Sequence, residues 1–405
     1  MAGMKRPQLQ TNTKNQIIMF QGLKFTRPDN TRQYEGLRQE VRDFLKAERT
    51  AGTYQPTGEF GGGFSFEFSQ KLGQRGWIGM TWPKEYGGHE RSFDERYVVS
   101  EEMLAAGAPI RAHWIADRQS GPLLLRFGND KQKQELLPKI CRGELCFCIG
   151  LSEPNSGSDL FSAQCKATKT DDGWRINGQK IWTSNAHRAQ YMIGLFRTSP
   201  ATEENRRHGL SQFLVDMSLP GITVRPIINL TGQHDFNEVF FDDVLLPDDA
   251  LLGEADQAWK QASAELAYER SGPERFLSTY LVLGELAQVH QNSTDARTRE
   301  AVGRLVAQLW TLRQMSLSVA NMLQAGVSPA VEAALVKDIG TNFEKQVPNV
   351  ARLLRPGADD DISEEDRQRF ETFMNLATSL APALTIRGGS QEILRGIIAR
   401  ELGLR

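Results

Sequence analysis

The chain changes its hydrophobic period twice, and this change constrains the fold most strongly. From about Thr31 to Gly143, apolar residues recur at three- and four-residue spacing, as in YEGLRQEVRDFLKAE, which predicts helices. From about Cys146 to Pro247, short segments rich in β-branched and aromatic residues alternate with turns, which predicts antiparallel strands. From Ala258 onwards the pattern is helical again. We therefore expect an α+β protein, with a cleft where the β-domain meets the helices.

These changes divide the chain into four expected regions. Residues 1–30 are a flexible extension, 31–145 a helical domain, 146–257 the β-domain and 258–405 a second helical domain. The acidic stretch GADDDISEED is expected to be a solvated loop whose end starts a helix. A length of 405 residues is sufficient for two or three domains with a large buried core.

Charge and composition argue against several classes of protein. The formal net charge is -2, and no long basic field is present, so a nucleic-acid partner is not expected. No apolar run is long enough to span a membrane, and the polar N-terminus lacks the apolar core of a signal peptide. Cys146 and Cys148 have the wrong spacing for a zinc site, so no metal is expected. With Cys141 and Cys165, they are predicted to be reduced, buried thiols of a cytoplasmic protein.

The most specific segment is GLSEPNSGSDL, from Gly150 to Leu160. A strand is expected to end at Leu151 and to lead into a tight loop dense in hydroxyl groups and outward N–H groups. Such a loop can hold a phosphate or the polar edge of a ring. An ordinary Pro-Asn-Ser-Gly turn would fit the same composition.

The full word Ser-Glu-Pro-x-x-Gly-Ser-Asp resembles the signature of the acyl-CoA dehydrogenase family. Further segments similar to that family follow in its order, over roughly residues 31–405. They are WPKEYGG (82–88), GNDKQKQELLPKICRGE (128–144), GQKIWTSNA (178–186), EVFFDDVLLP with LLGEADQAW (238–259) and GGSQEILRGIIARELG (388–403).

This resemblance implies an FAD enzyme that oxidises an acyl-CoA thioester to the 2,3-enoyl-CoA. It implies an N-terminal helical domain, a central antiparallel β-barrel and a C-terminal four-helix bundle. The expected electron acceptor is an electron-transfer flavoprotein. The positions that match the family's cofactor contacts are Leu151 and Ser152 at the flavin pyrimidine edge, Gly157 and Ser158 near the pyrophosphate, Trp182 on the ring, Ser184 facing N5, and Ser390 and Glu392 from the last helix. Ser158 also matches a contact to the CoA arm. Without this context, Trp182 would be read as a strand-core residue.

The catalytic base is expected at a different position from the one that many family members use. Many members of the family carry it at the position of Gly388, where glycine cannot accept a proton. A branch of the family places the glutamate in a Glu-Arg word on a bundle helix, and LAYER matches that word, with Glu269 as the base and Arg270 beside the substrate. The Gly388 N–H is expected to keep its role toward the thioester oxygen. Adjacent helical residues do not face each other, so Arg270 is predicted to pair with Glu274 at i+4. The alternative is that Glu269 is a solvated surface charge.

Two departures from the family bear on assembly. The Arg-x-x-Phe-Gly segment is replaced by QVHQNSTDARTRE, and the Gln-x-x-Gly-Gly-x-Gly segment is absent from DIGTNFEKQVPNVARLLRPG. In homotetrameric members these segments bind the ADP half of a neighbour's FAD. Their loss resembles the paired subunits of α2β2 dehydrogenases that act on bulky, steroid-like CoA thioesters. The alternatives are a divergent homo-oligomer, a related oxidase, and a non-catalytic subunit that completes a partner's site. His113, Trp114 and Arg118 receive no role from the sequence.

Overall fold

The computed structural model describes residues 23–26, 33–202, 205, 208–258, 261, 270–357 and 361–404. Most of the predicted extension at 1–30 lies outside these ranges. The part that is described contacts the C-terminal helices, because the Lys24 N–H donates to Glu332 Oε1 (2.9 Å) and the Thr26 N–H donates to Ser318 Oγ (2.7 Å).

The predicted N-terminal helices are present. They are α1 (Glu35–Thr50), α2 (Phe66–Gln74), α3 (Phe93–Ala105), α4 (Arg111–Ile115), α5 (Gly121–Phe127) and α6 (Asp130–Cys141). The apolar residues spaced along α1 and α2 face one core, in which Val41 and Phe68 are fully buried. Ser92 and Asn129 form capping boxes that satisfy the first N–H groups of α3 and α6.

The described central segments form one sheet of eight strands. They are β1 (Phe147–Gly150), β2 (Lys166–Thr170), β3 (Gly173–Lys180), β4 (Tyr191–Arg197), β5 (Leu210–Asp216), β6 (Ile222–Ile228), β7 (His234–Leu246) and β8 (Leu251–Leu252). The order is β6-β7-β3-β2-β4-β5-β8, with β1 paired to β4. The Val- and Phe-rich faces of β4, β5 and β7 supply a core of their own.

The predicted antiparallel barrel is not confirmed. Within the residues that the structure describes, β6 and β8 stand at the two ends of the order and the sheet stays open. Pairing is also mixed, because β1 and β2 both run parallel to β4. The ends are poorly suited to close on each other, since β8 has two residues and Pro226 in β6 has no N–H to donate.

The C-terminal region is helical, as predicted. Its labelled helices are α7 (Tyr280–Val289), α8 (Ala296–Gln324), α9 (Ala330–Leu353), α10 (Glu364–Leu384) and α11 (Gln391–Glu401). The end of the acidic stretch starts α10 as expected, with the Asp366 N–H donating to Ser363 Oγ (3.1 Å). A short turn, Pro273–Arg275, precedes these helices and packs against α9, where a Cβ on Gly340 would lie 2.4 Å from the Arg275 carbonyl oxygen.

All four cysteines are free and buried, which confirms the prediction for them. Burial raises the pKa of the Cys141, Cys146 and Cys165 thiols to about 12, so these groups stay protonated and unreactive. Among the residues with described coordinates, no cluster of three His, Cys, Asp or Glu side chains is arranged to hold a metal ion. No helix in that part of the chain has the length and apolar character needed to cross a bilayer.

Candidate active site

The loop after β1 is held in place by a buried ion pair. Lys180 Nζ, fully inaccessible to solvent, lies 2.7 Å from Glu153 Oε1. The same carboxylate accepts from the backbone N–H groups of Gln164 (2.6 Å) and Cys165 (3.0 Å). Burial lowers the pKa of Lys180, and Glu153 is the nearby carboxylate that favours its charged form. Removing either partner would leave a buried charge, at a cost of about 3–5 kcal/mol.

Two of the predicted cofactor segments meet directly. The Ile181 N–H donates to the Ser152 carbonyl (2.9 Å), and Lys180 Nζ donates to the Leu151 carbonyl (3.3 Å). Leu151 and Ser152 therefore lie beside the turn that carries Trp182 and Ser184. The structure brings these four predicted residues together at one edge of the sheet.

Trp182 is both exposed and strained. The residue is 57% exposed, and its φ of +59° lies in the left-handed region, which bulky residues rarely adopt. Asn237 holds the conformation from both sides, because its carbonyl accepts from the Thr183 N–H (3.0 Å) and its Nδ2 donates to the Thr183 carbonyl (2.9 Å). The ring packs in a T-shaped arrangement with Phe236, 6.0 Å away between centroids. Trp182 is therefore not the strand-core residue that its context-free reading suggests.

Gly157 and Ser158 form the exposed tip of the loop. The turn beneath them is closed by reciprocal backbone bonds between Glu153 and Ser156, of 2.8 and 3.0 Å. A Cβ built on Gly157 meets no atom within 4 Å, so the position faces open space. The tip is therefore accessible to a bound molecule.

A second cluster surrounds Gly388. Its φ is +70°, and its carbonyl accepts from Arg270 Nε (3.2 Å). A Cβ at this position would lie 2.9 Å from Arg275 Nη2, so the buried guanidinium occupies the space in which a side chain would stand. Arg270 and Gly388 are thus neighbours, as the base hypothesis requires. Glu269 itself lies outside the described residues.

The predicted pair between Arg270 and Glu274 is wrong. Glu274 Oε1 instead accepts from Arg118 Nη1, and it lies 3.8 Å from Arg275 Nε. The i+4 rule assumed a continuous helix, but the Gly272–Pro273 break turns the chain before Glu274. Both partners of the Arg118–Glu274 pair are buried.

Ser390 and Glu392 stand at the start of α11. Ser390 is its N-cap, and Glu392 is exposed in the first turn. The pKa of Glu392 is lowered, first by hydrogen bonding to its own backbone N–H at this helix end. These residues follow directly on Gly388. We call Leu151, Ser152, Trp182 and Ser184 the sheet-edge group, and Arg270, Arg275 and Gly388 the Gly388 group. The hydrogen bonds described above join residues within one of these groups and do not connect the two groups.

The N-terminal domain lies between the two groups. Arg111 Nη2 is 2.6 Å from Asp235 Oδ1 and donates to Asn185 Oδ1 (2.9 Å), which ties α4 to the Trp182 turn. In the neighbouring loop, Glu59 Oε1 accepts from Gln233 Nε2 (2.7 Å). The loop that contains Glu59 also lines a cavity with Arg387, the residue before Gly388.

Two small cavities flank the segment 271–278. The first, which we call the Tyr97 cavity, has a volume of about 50 Å³ and lies between α3, the 271–274 turn and α8. The second, the Arg387 cavity, has a volume of about 30 Å³ and is bounded by the 58–62 loop and the start of α7. Trp114 and Glu274 line both cavities. Arg118 lies over the Trp114 ring, with Cζ 5.2 Å from its centroid.

Sequence reasoning missed this pair of cavities. It gave Trp114 and Arg118 no role, although four-residue spacing on a helical stretch could have indicated that they share a face. His113 points elsewhere, since its Nδ1 lies 2.8 Å from Ser69 Oγ. Burial lowers the pKa of His113 to about 4, which makes it a neutral packing residue.

Comparison with known proteins identifies the family. A family model described as "Acyl-CoA dehydrogenase, N-terminal domain" matches residues 31–144, and one described as "Acyl-CoA dehydrogenase, middle domain" matches residues 148–244. The chain is 35% identical over 389 residues to "Acyl-CoA dehydrogenase IpdE1" of Mycobacterium tuberculosis, covering 91% of this chain and 97% of that protein. The chain belongs to the acyl-CoA dehydrogenase family. It is an oxidoreductase of the acyl-CoA dehydrogenase type.

Solved structures of the family share the fold. The "Tcur3481-Tcur3483 steroid ACAD" superimposes with a TM-score of 0.78 at 27% identity, covering 92% of this chain and 97% of that one. The "ChsE4-ChsE5 complex from Mycobacterium tuberculosis" gives a TM-score of 0.77 at 28% identity, covering 94% and 100% of the two chains. This dehydrogenase therefore resembles, over nearly its whole length, a steroid ACAD and a complex of two proteins.

Proposed function

We propose that this dehydrogenase binds FAD and oxidises a bulky or cyclic, steroid-like acyl-CoA to its 2,3-enoyl-CoA. The observation that carries the proposal is the contact between the Ser152 loop and the Trp182 turn, joined by the Ile181–Ser152 hydrogen bond. It presents an exposed indole beside a loop of outward polar groups, which suits a flat ring with one polar edge.

The residues at the sheet edge fit a flavin. A large exposed aromatic residue in a strained backbone conformation is costly unless a ligand uses it. The buried Thr183 Oγ1 has no hydrogen-bond partner in the described part of the chain, so this turn also holds an unsatisfied polar atom. Leu151, Ser152, Trp182 and Ser184 would hold the ring, and Gly157 with Ser158 would approach the phosphates and the CoA arm. Ser390 and Glu392 would contact the cofactor from α11.

The chain's own residues divide the chemistry between two groups. We propose that Glu269 removes the α-proton, and that the Gly388 N–H donates to the thioester oxygen, where negative charge develops. The Arg270 contact to the Gly388 carbonyl fixes the orientation of the glycine turn, and Arg270 would stand beside the thioester. FAD, when bound, supplies the two-electron acceptor for the β-hydrogen. An electron-transfer flavoprotein is the acceptor that we propose for the electrons.

A partner subunit is part of the proposal. The segments that bind the ADP half of FAD in homotetrameric relatives are absent from this sequence. The similar ChsE4-ChsE5 structure is a complex of two proteins, and the name of the similar Tcur3481-Tcur3483 enzyme joins two proteins. Both similarities support an α2β2 assembly in which the partner completes the flavin site.

The base assignment is tested by Glu269→Gln in the flavin-loaded complex. The change removes the proton acceptor and keeps the size of the side chain, so we expect turnover to fall by about a thousand-fold. Thioester binding should remain, and it is measured by calorimetry. Glu265→Gln, four residues earlier in the same sequence segment, is the matched control and should leave turnover near normal.

Near-normal turnover in Glu269→Gln, with flavin content unchanged, would contradict the base assignment. It would favour the alternative in which this chain is a non-catalytic subunit that completes a partner's site. Arg275 fills the space in which a side chain at position 388 would stand, so the test does not concern a base at that position.

A further inference from the structure

Two histidines stack beside the Trp182 turn. His187 lies in the turn that follows Trp182, and His234 begins β7. Their rings are nearly parallel, at 18°, with centroids 3.8 Å apart. One nitrogen of each ring approaches the same buried oxygen, since His187 Nδ1 lies 3.2 Å and His234 Nε2 lies 2.6 Å from Asn237 Oδ1. The mechanism proposed above uses neither ring.

The Asn237 amide is satisfied in only one orientation. Its Nδ2 donates to the Thr183 carbonyl (2.9 Å), which can only accept. Its Oδ1 therefore faces the histidines, and because Oδ1 carries no hydrogen, both ring nitrogens must donate to it. This fixes where the two rings are protonated. His187 carries its proton on Nδ1, and His234 carries one on Nε2.

The surroundings keep the His187 ring neutral. Burial comes first, and the nearby His234, Arg188 and Arg111 add to it, so that the pKa of His187 is lowered to about 4. A neutral imidazole has a single N–H. At neutral pH, His187 can therefore donate to Asn237 only as the tautomer that carries the proton on Nδ1.

The turn needs support from outside, because two of its residues have a left-handed backbone. The φ angle is +59° at Trp182 and +58° at Asn185, a region that L-residues disfavour. Thr183 is held through both of its backbone groups by Asn237. The backbone of Asn237 is fixed within β7, whereas its amide can rotate, and a reversed amide would set Oδ1 against the Thr183 carbonyl. The histidine N–H groups oppose that reversal.

We propose that His187 and His234 are positioning residues for Trp182, and that they act by fixing the orientation of the Asn237 amide. The consequence for the cofactor rests on the proposed function, in which the Trp182 indole lies against the flavin ring. The pair keeps the turn in its strained conformation before the cofactor arrives. Binding of FAD then requires no reordering of the turn, which favours affinity.

The positioning step is tested on flavin-free protein labelled with 5-fluorotryptophan, by 19F NMR. Trp182→Phe identifies the resonance of Trp182. His234→Met removes the N–H, and His234→Gln returns one at the place of Nε2; His187→Leu and His187→Asn are the corresponding pair for Nδ1. We expect the Trp182 resonance to shift or split in the Met and Leu variants, and to return to its wild-type position in the Gln and Asn variants.

His290→Met is the matched control, because His290 Nε2 lies 2.7 Å from the Leu354 carbonyl oxygen, among the C-terminal helices. It removes a similar contact of a histidine at another place and should leave the Trp182 resonance unchanged. The tautomers are measured in the wild type by solid-state NMR with 15N-histidine, assigned with His187→Asn and His234→Gln. A neutral His187 that carries its proton on Nε2 would overturn the inference without any need for a destabilised variant.

FAD titration of the same flavin-free proteins, in complex with the partner subunit, tests the consequence for the cofactor. We expect about tenfold weaker binding in His234→Met and His187→Leu, since a buried amide oxygen loses a donor. The Gln and Asn variants should bind FAD as the wild type does.

An unchanged Trp182 resonance in both His234→Met and His187→Leu would overturn the inference. Equal shifts in the variants with and without the N–H would also overturn it, because the rings would then act through their bulk. A shifted resonance with unchanged FAD affinity would support the positioning role and contradict the proposed flavin site at this turn.

Discussion

At the scale of single residues, the two glycines at 388 and 389 make a sharp comparison. Both have a positive φ, +70° and +101°, so alanine at either position costs about 1–2 kcal/mol in backbone strain. Only at Gly388 would the new Cβ lie 2.9 Å from Arg275 Nη2; at Gly389 it would meet Arg270 Nη2 at an ordinary 3.5 Å. Arg275 is 2% exposed and cannot swing into solvent.

We therefore expect Gly388→Ala to be less stable than Gly389→Ala by about 2 kcal/mol, the usual cost of overpacking a buried site. Urea denaturation of the two variants measures the difference. Equal midpoints would mean that Arg275 yields without cost and does not fix the glycine turn.

The sequence was informative about residue identity and less informative about residue partners. The match to the family brought Leu151, Ser152, Trp182 and Ser184 forward, and the structure brings these four together. The Arg270–Glu274 pair failed because a spacing rule for helices was applied across Gly272–Pro273, where the backbone is not helical. Partners that depend on a distant segment, as Glu274 depends on Arg118, leave no local pattern to find.

At the scale of elements, the α2–α4 contact should make folding stability depend on pH. His113 on α4 meets Ser69 on α2, and burial lowers its pKa from 6.5 to about 4. The folded state therefore favours the neutral ring, and the unfolded state binds the extra proton between these two values. The contribution of His113 to the free energy of unfolding is complete above about pH 6.5. It falls by about 3 kcal/mol as the pH drops toward 4.

Replacing His113 with glutamine should flatten that dependence. We expect the difference in urea midpoint between wild type and His113→Gln to shrink or reverse from about pH 7 to about pH 4.5, since only the wild type loses the contribution of the histidine. Parallel midpoint curves for the two proteins would show that His113 does not carry the effect.

Elements themselves were largely predictable, and their arrangement was not. Segments rich in β-branched and aromatic residues, separated by turns, indicated strands at β3 to β7, and residues from these strands form the core of the β-domain. The polar β2, KATKT, carries no such pattern and owes its place to pairing with β3. Closure of the sheet would require β6 and β8 to pair with each other, and the sequence of either strand alone does not predict whether they do.

At the scale of the whole molecule, the Tyr97 cavity shows why a cavity is harder to predict from sequence than a loop. Its polar groups come from α3, from the stretch after α4 and from the turn before α7, which are brought together only by the packing of the domains. The proposed cofactor site, by contrast, is built from two continuous segments of sequence. A motif search can find the second kind of site and not the first.

The last prediction concerns assembly. If an unlike partner supplies the ADP half of the flavin site, the chain expressed alone holds only part of the contacts that bind FAD. We expect protein purified alone to carry little flavin, and co-expression with the partner subunit to raise flavin absorbance per chain by about tenfold, since a ligand accumulates on the species that completes its site. Native mass spectrometry should show two copies of each chain. Stoichiometric FAD in the protein alone, with a homo-oligomeric mass, would contradict the α2β2 proposal and leave the sheet-edge flavin site intact.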